Sequence, residues 1–215
     1  MNRAIILMLA ASLGGCASFV ADYEERLVRS LPNQREVTIS DTQTYPGKIL
    51  CGEYTTLTGQ GFTMRSSSFV VGSDFVLNNP SPDHLAVYCS KDPAGVLLER
   101  FGIGAADGDW SSLVRIRDDM LLIDAAIMRY YDQQHALPRS LDRLLDGDFG
   151  ITEEAMIDPW GQTYGYRGGL SGRSVPQYTL VSRGADAAPG GEGTAADISR
   201  ELLPLLDHVI RLGGY

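Results

Sequence analysis

The stretch that decides the fold is residues 109–134, DWSSLVRIRDDMLLIDAAIMRYYDQQ. Leu113, Ile116, Met120, Ile123, Ile127 and Tyr130 recur at steps of three and four residues, which places them on one face of an α-helix. Val114, Leu121, Ala125 and Met128 widen that stripe. Asp109 or Ser111 offers a side-chain oxygen to the first turn. The pattern predicts an amphipathic helix running to about Gln134 and burying one face on a sheet. Arg115, Arg117, Asp118 and Asp119 keep it out of a membrane interior. Adjacent helical residues point apart, so Asp118-Asp119 reads as solvated surface and not as an acid–base pair. Glu153-Glu154 reads the same way.

After the helix, Pro138 breaks the chain and Ser140 to Leu145 predicts one or two further helical turns. Gln162 to Arg167 and Gln177 to Ser182 alternate and predict an antiparallel pair around the loop 168–176. A glycine-rich acidic loop follows from Gly184 to Asp197. Ile198 to Leu212 reads as an apolar helical tail with Pro204 near its first turn.

Before the helix, Gly102 to Asp109 is glycine-rich. It contains Gly-x-Gly but lacks the third glycine and a surrounding βαβ unit, so it reads as a linker. Between 37 and 103, Val37 to Ile39, Lys48 to Thr56, Gly61 to Arg65, Ser68 to Val71 and His84 to Cys89 look like short strands. Pro46-Gly47, Gly59 and residues 78–83 separate them as turns. The fold class expected is α+β: a long amphipathic helix packed on a small antiparallel sheet, preceded by a small, mostly β unit.

The chain has three cysteines and three histidines. With Cys16 set apart as below, Cys51 and Cys89 remain, an even pair that suggests a disulfide in an oxidising compartment. It would close a loop of roughly 40 residues, worth about 4 kcal/mol in the chain-entropy model. The alternatives are a metal pair or two free thiols, but His84, His135 and His208 lack zinc-finger spacing.

Arg3 and the apolar run Ala4 to Leu13 have the form of a targeting signal, too short for the roughly 20 residues that span a bilayer. Leu13-Gly14-Gly15-Cys16 resembles the lipobox of bacterial lipoproteins. That resemblance implies cleavage before Cys16 and acyl chains on its thiol and new amino terminus, enough for stable anchoring. Ala17, where the Gram-negative sorting rule reads Asp for inner-membrane retention, implies the outer membrane. The expected organisation is a signal peptide (1–15), a spacer with a short helix at Tyr23 to Leu31 (16–36), a β domain (37–103), a second domain (104–198) and a helical tail (199–215).

The net charge is −9 with a pI near 4.7. An acidic surface excludes nucleic acid and electrostatic docking on anionic lipid, and suits cations. The sequence has no Gly-x-Ser-x-Gly elbow, no His-Glu-x-x-His and no phosphate loop. Three scattered histidines supply no base for a nucleophile. No catalytic residues are assigned, and the protein is expected to be non-enzymatic.

The loop Gly184 to Asp197 is the candidate site. Calcium takes six to eight oxygens from carboxylates and backbone carbonyls. Glycine tolerates the dihedrals that turn carbonyls inward. Asp186 and Asp197 bracket the loop and Glu192 lies between them. The pattern is not that of an EF-hand.

Asp158-Pro159-Trp160-Gly161, Tyr164 and Tyr166, Tyr178 to Asp186, Gly190-Gly191-Glu192-Gly193 and Ala196-Asp197-Ile198 together resemble the C-terminal head of the major pseudopilin of type II secretion systems. Ile127 to Tyr131, Leu137-Pro138 and Ser140 to Leu144 match that family's helix end, link and small helix. The resemblance covers about residues 110 to 198. It implies a calcium ion held by Asp186, Asp197 and the backbone carbonyl of Arg183. The family's acid pair is Ala196-Asp197 here, so one carboxylate is missing, and Glu192 or Thr194 would compensate. Fewer charged ligands weaken calcium binding.

The chain lacks the pseudopilin's prepilin-peptidase site and apolar N-terminal helix, which implies anchoring by lipid in place of helix bundling. The expected function is a calcium-stabilised binding or assembly lipoprotein with a protein partner in the cell envelope, accessory to type II secretion or a pilus-like system. Two alternatives stand beside it: an envelope enzyme with an interdomain site, and a spacer presenting a β domain that binds a ligand through Ser73 to Asp83.

Overall fold

The computed structural model describes residues 17–31, 36–57, 64–105, 109–169 and 176–213. The fold is α+β and divides into two compact units, Met1–Pro93 and Ala94–Tyr215. The expected junction at 103/104 lies one helix further on.

The first unit opens with helix α1 (Ala17–Ser30), followed by strands β1 (Thr38–Tyr45), β2 (Ile49–Leu57), β3 (Met64–Val71) and β4 (Val76–Leu77) and helix α2 (Pro82–Tyr88). The strands form one antiparallel sheet in the order β1-β2-β3-β4. Tyr45 pairs with Ile49 across the Pro46-Gly47-Lys48 turn, where Gly47 and Lys48 take positive φ. The two strands expected at 61–65 and 68–71 are one strand, β3; residues 58–63, with the expected turn at Gly59, lie outside the described residues.

Tyr23 and Leu27 of α1 and Leu31 just after it recur every four residues and are buried with Leu50, Tyr54, Phe69 and Val71 of the sheet. Gly52 permits this packing: a Cβ there would lie 2.9 Å from both the Phe69 ring and the Ser40 carbonyl oxygen.

The strand expected at His84 to Cys89 is instead α2. Ser81 caps it by accepting from His84 N–H at 3.2 Å, and Pro82 occupies the first helical turn, where its missing N–H costs nothing. The alternation of His84 to Cys89 misled because a two-turn helix also buries adjacent residues, here Val87 and Tyr88. The Cys51–Cys89 disulfide is formed. It joins β2 to the residue capping α2, and so staples strand to helix where strand to strand was expected.

The second unit contains helix α3 (Pro93–Phe101, its first residue at the division), helix α4 (Ser111–Gln134), strands β5 (Gly165–Gly168), β6 (Tyr178–Ser182) and β7 (Ile198–Ser199), and helix α5 (Leu203–Gly213). Short 3-10 turns lie at Leu141–Leu144, Glu153–Met156, Gly193–Ala195 and Arg200–Leu202. The sheet is antiparallel in the order β5-β6-β7.

Helix α4 ends at Gln134 as its periodicity predicts, with His135 in the left-handed region and its N–H on the Tyr131 carbonyl at 2.8 Å. At its start Trp110 occupies the cap position without a side-chain bond, while Asp109 accepts from Ser111 N–H at 2.9 Å. Leu113, Ile116, Met120, Ile123 and Ile127 are buried as expected. The stripe widens toward Asp119 and Ala126, and Leu121 is half exposed. The tail also departs from expectation: it begins as β7, passes through a 3-10 turn and becomes helical only at Leu203. Leu203, Leu205, Leu206, Val209 and Ile210 of α5 are buried.

Candidate functional site

The site grows from the turn at Asp158. Asp158 is 2 % exposed. Its Oδ1 accepts from Trp160 N–H at 3.1 Å and from Gln162 N–H at 2.9 Å, and its Oδ2 accepts from the Ser182 hydroxyl at 2.8 Å. Short-range bonding of an Asx side chain to its own backbone is what lets Asp initiate turns. Gly161 completes the turn with φ +84, and Ile157 bridges Thr163 across it. The Ser182 hydroxyl in turn accepts from Gly184 N–H at 3.3 Å. One buried carboxylate therefore connects the 158–161 turn to the end of β6 and the mouth of the 184–197 loop.

The loop folds back on itself. Ala185 N–H donates to the Thr194 carbonyl at 2.8 Å and Asp197 N–H to the Gly190 carbonyl at 3.1 Å. Gly184 and Gly191 make the close approach possible. Each has positive φ, and a Cβ would come within 2.6 Å and 2.3 Å of Ala195 backbone atoms. Outside the loop, Gly193 N–H donates to the Gly102 carbonyl at 2.7 Å, so the residue after α3 also holds the loop.

The candidate ligands are placed unequally. Arg183 and Asp197 meet: the guanidinium donates to Asp197 Oδ2 at 2.5 Å. Asp197 Oδ1 is buried without a hydrogen-bond partner. Asp186 is exposed and accepts from Ala188 N–H at 3.0 Å, while Glu192 and Thr194 are exposed. Among the described residues, no group of three or more His, Cys, Asp or Glu side chains is gathered to hold a metal. A calcium ion fits this donor set in kind: hard carboxylate and carbonyl oxygens, one of them a buried carboxylate oxygen still lacking a partner. Of the carboxylates, only Asp197 is presented inward.

Two further clusters fasten α4 to the sheet. Asp119, read from sequence as solvated surface, is only 9 % exposed; Tyr164 O–H donates to it at 3.2 Å and Arg115 lies 3.4 Å away. Burial pushes its carboxyl pKa up, against the lowering pull of Tyr164 and Arg115. Asp124 accepts from both Tyr178 O–H and Arg200, whose guanidinium lies 4.6 Å from the Tyr178 ring centroid. Glu153 and Glu154 are exposed.

Sequence reading missed Asp158 and Asp119 as individual contributors. The buried role of Asp158 had a signal, an Asx residue before Pro-Trp-Gly at a turn. Asp119 had none, because its partner lies 45 residues away.

The order of elements is thus a long helix, a buried-Asp turn, an antiparallel pair, a glycine loop and a short closing strand. Residues 119–201 match the family model of type II secretion system (T2SS), protein G. The match begins within α4, takes in the Asp158 turn, the sheet and the loop, and covers less than half of the chain. The second unit therefore carries a pseudopilin-like domain. The sheet and helices of the first unit lie outside the match. A comparison with curated proteins finds no match. Among the described residues no helix is long and apolar enough to cross a membrane. Cys16 lies outside the described residues.

Proposed function

We propose that the protein is a non-enzymatic, calcium-stabilised lipoprotein of the cell envelope whose pseudopilin-like domain serves binding or assembly in type II secretion or a pilus-like system. The observation that carries the secretion role is the match of residues 119–201 to protein G of that system. The helix those residues enter carries Arg115, Arg117, Asp118 and Asp119, four charged side chains in five positions that suit a water-soluble fold and not a bilayer-spanning helix. Lipid on Cys16 supplies the attachment, at the outer membrane by the identity of Ala17.

The calcium reading rests on Asp197. A buried carboxylate oxygen without a partner is costly, and a cation relieves that cost. Asp186 and the Arg183 carbonyl complete the set, with Glu192 or Thr194 standing in for the acid absent at Ala196. The protein's role in the envelope is then to present a shaped, ion-braced domain to a protein partner.

Three measurements test the parts separately. Calcium should raise the melting temperature of the wild type and leave Asp186→Ala/Asp197→Ala unmoved, since a ligand specific to the native state stabilises it; identical melting of both proteins with calcium and with chelator rejects the ion. Cys16→Ser should lose incorporation of a fatty-acid analogue, and undiminished labelling rejects the lipid. Cross-linked pull-down from envelope extract should recover secretion-machine components, and their absence rejects the secretion role.

A further inference from the structure

Residues 16–36 read in sequence as a spacer with a short helix at Tyr23 to Leu31; the helix is present, but α1 begins at Ala17 and is built into the core of the first unit. Tyr23, Leu27 and Leu31 are 5 %, 0 % and 5 % exposed. Phe19 and Val20 pack against the same cluster. Arg26 donates to the carbonyls of Gly72 at 2.8 Å, Ser73 at 3.0 Å and Phe75 at 3.4 Å. These carbonyls belong to the β3–β4 connection, so the helix is tied to the sheet by polar bonds as well as by apolar packing.

We propose that the first unit is held against the bilayer surface by covalent reach, because α1 leaves no slack between the acylated residue and the packed core. The inference rests on the proposed lipidation of Cys16. From Cys16 to Phe19, the first packed side chain among the described ones, is three residues. Fully extended they span about 10 Å, and as helix about 4.5 Å. The headgroup layer of one leaflet is itself about 5–8 Å thick. The N-terminal end of α1 therefore lies in or against the headgroups.

Charge does not supply this contact. The chain carries −9, and the exposed positions of α1 include Asp22 and Glu25 alongside Arg29. The contact is set by chain length and persists when salt screens surface charge.

The test uses the full acylated chain in phosphatidylethanolamine–phosphatidylglycerol vesicles doped with a nickel-chelating headgroup lipid. Asp22→Cys supplies a thiol for a nitroxide, since Cys51 and Cys89 are bonded to each other and Cys16 is acylated. The comparison protein carries twenty Gly/Ser residues between Cys16 and Ala17, a coil with a reach of roughly 25 Å. Circular dichroism melting checks that the insertion leaves the fold intact, and fatty-acid labelling is scored on the same samples.

The expected result is strong nickel relaxation of the nitroxide at native spacing, unchanged by 0.5 M salt and several-fold weaker with the insertion. Labelled protein with equally weak relaxation in both forms overturns this proposal and leaves the lipid standing. Equally strong relaxation in both shows docking by the unit's own surface, which also overturns it. Unlabelled protein removes the lipid and this inference together.

Discussion

At the scale of the residue, Asp158 carries more of the site than any candidate ligand. It accepts two backbone N–H groups and one hydroxyl while almost fully buried. Asp158→Ala leaves those three donors without their acceptor, at a cost of about 3–5 kcal/mol. Urea unfolding followed by tryptophan fluorescence should register this loss, because Trp110 and Trp160 both lie in the second unit. A change under 1 kcal/mol rejects the role. Arg183 makes an opposing case. Its guanidinium holds Asp197, the carboxylate on which the proposed calcium ion would rely. Arg183→Ala keeps the backbone carbonyl and removes the competing cation. Calcium affinity should rise roughly fivefold, the equivalent of about 1 kcal/mol for a partly exposed ion pair; titration calorimetry showing equal or weaker binding contradicts the competition.

At the scale of the element, the long helix was legible and the short one was not. Over α4 the three-and-four spacing repeats often enough to set both face and end. Over α2 a two-turn helix and a short strand leave nearly the same apolar trace, and the Ser81-Pro82 cap was the better guide. Helix α5 shows how an element can respond to pH. Burial lowers the His208 pKa below its usual 6.5; Asp207 raises it and Arg211 lowers it. Arg117 of α4 reaches Asp207 at 3.4 Å. A histidine with a depressed native pKa favours folding while neutral. That contribution is full above about 6.5 and is lost as pH falls through and below it. The stability of the wild type should therefore drop more than that of His208→Gln between pH 7.5 and pH 5. Parallel profiles from urea midpoints contradict this.

At the scale of the whole molecule, two compact units use different means of stabilisation. The first combines a small sheet, α1 and one disulfide; the second relies on α4, α5 and a hydrogen-bonded loop. Cys51 and Cys89 are 38 residues apart, a loop whose closure is worth about 4 kcal/mol. Cys51→Ser/Cys89→Ser should lower the unfolding midpoint of the first unit, read by amide hydrogen exchange of β2 and β3. The tryptophan-reported transition of the second unit should stay in place. A shift in the tryptophan transition alone contradicts the assignment of the disulfide to the first unit's stability.

What the sequence determined by itself is what repeats or sits close along the chain: the helical period of 111–134, the even cysteine pair, and the ordered Asp-Pro-Trp-Gly, strand and glycine-loop motifs. Local spacing suffices for these because a helix face, a turn and a loop are built from neighbours. Tertiary structure decided what depends on distant partners. It put Asp119 under Tyr164, took Leu121 out of the core, joined Cys51 to a helix end, and left one oxygen of Asp197 buried without a partner. It also started the expected short helix earlier, at Ala17, and built it into the core, because Tyr23, Leu27 and Leu31 have their contacts in strands that follow later in the chain. Burial and pairing across such separations are properties of the assembled fold, and no local pattern encodes them.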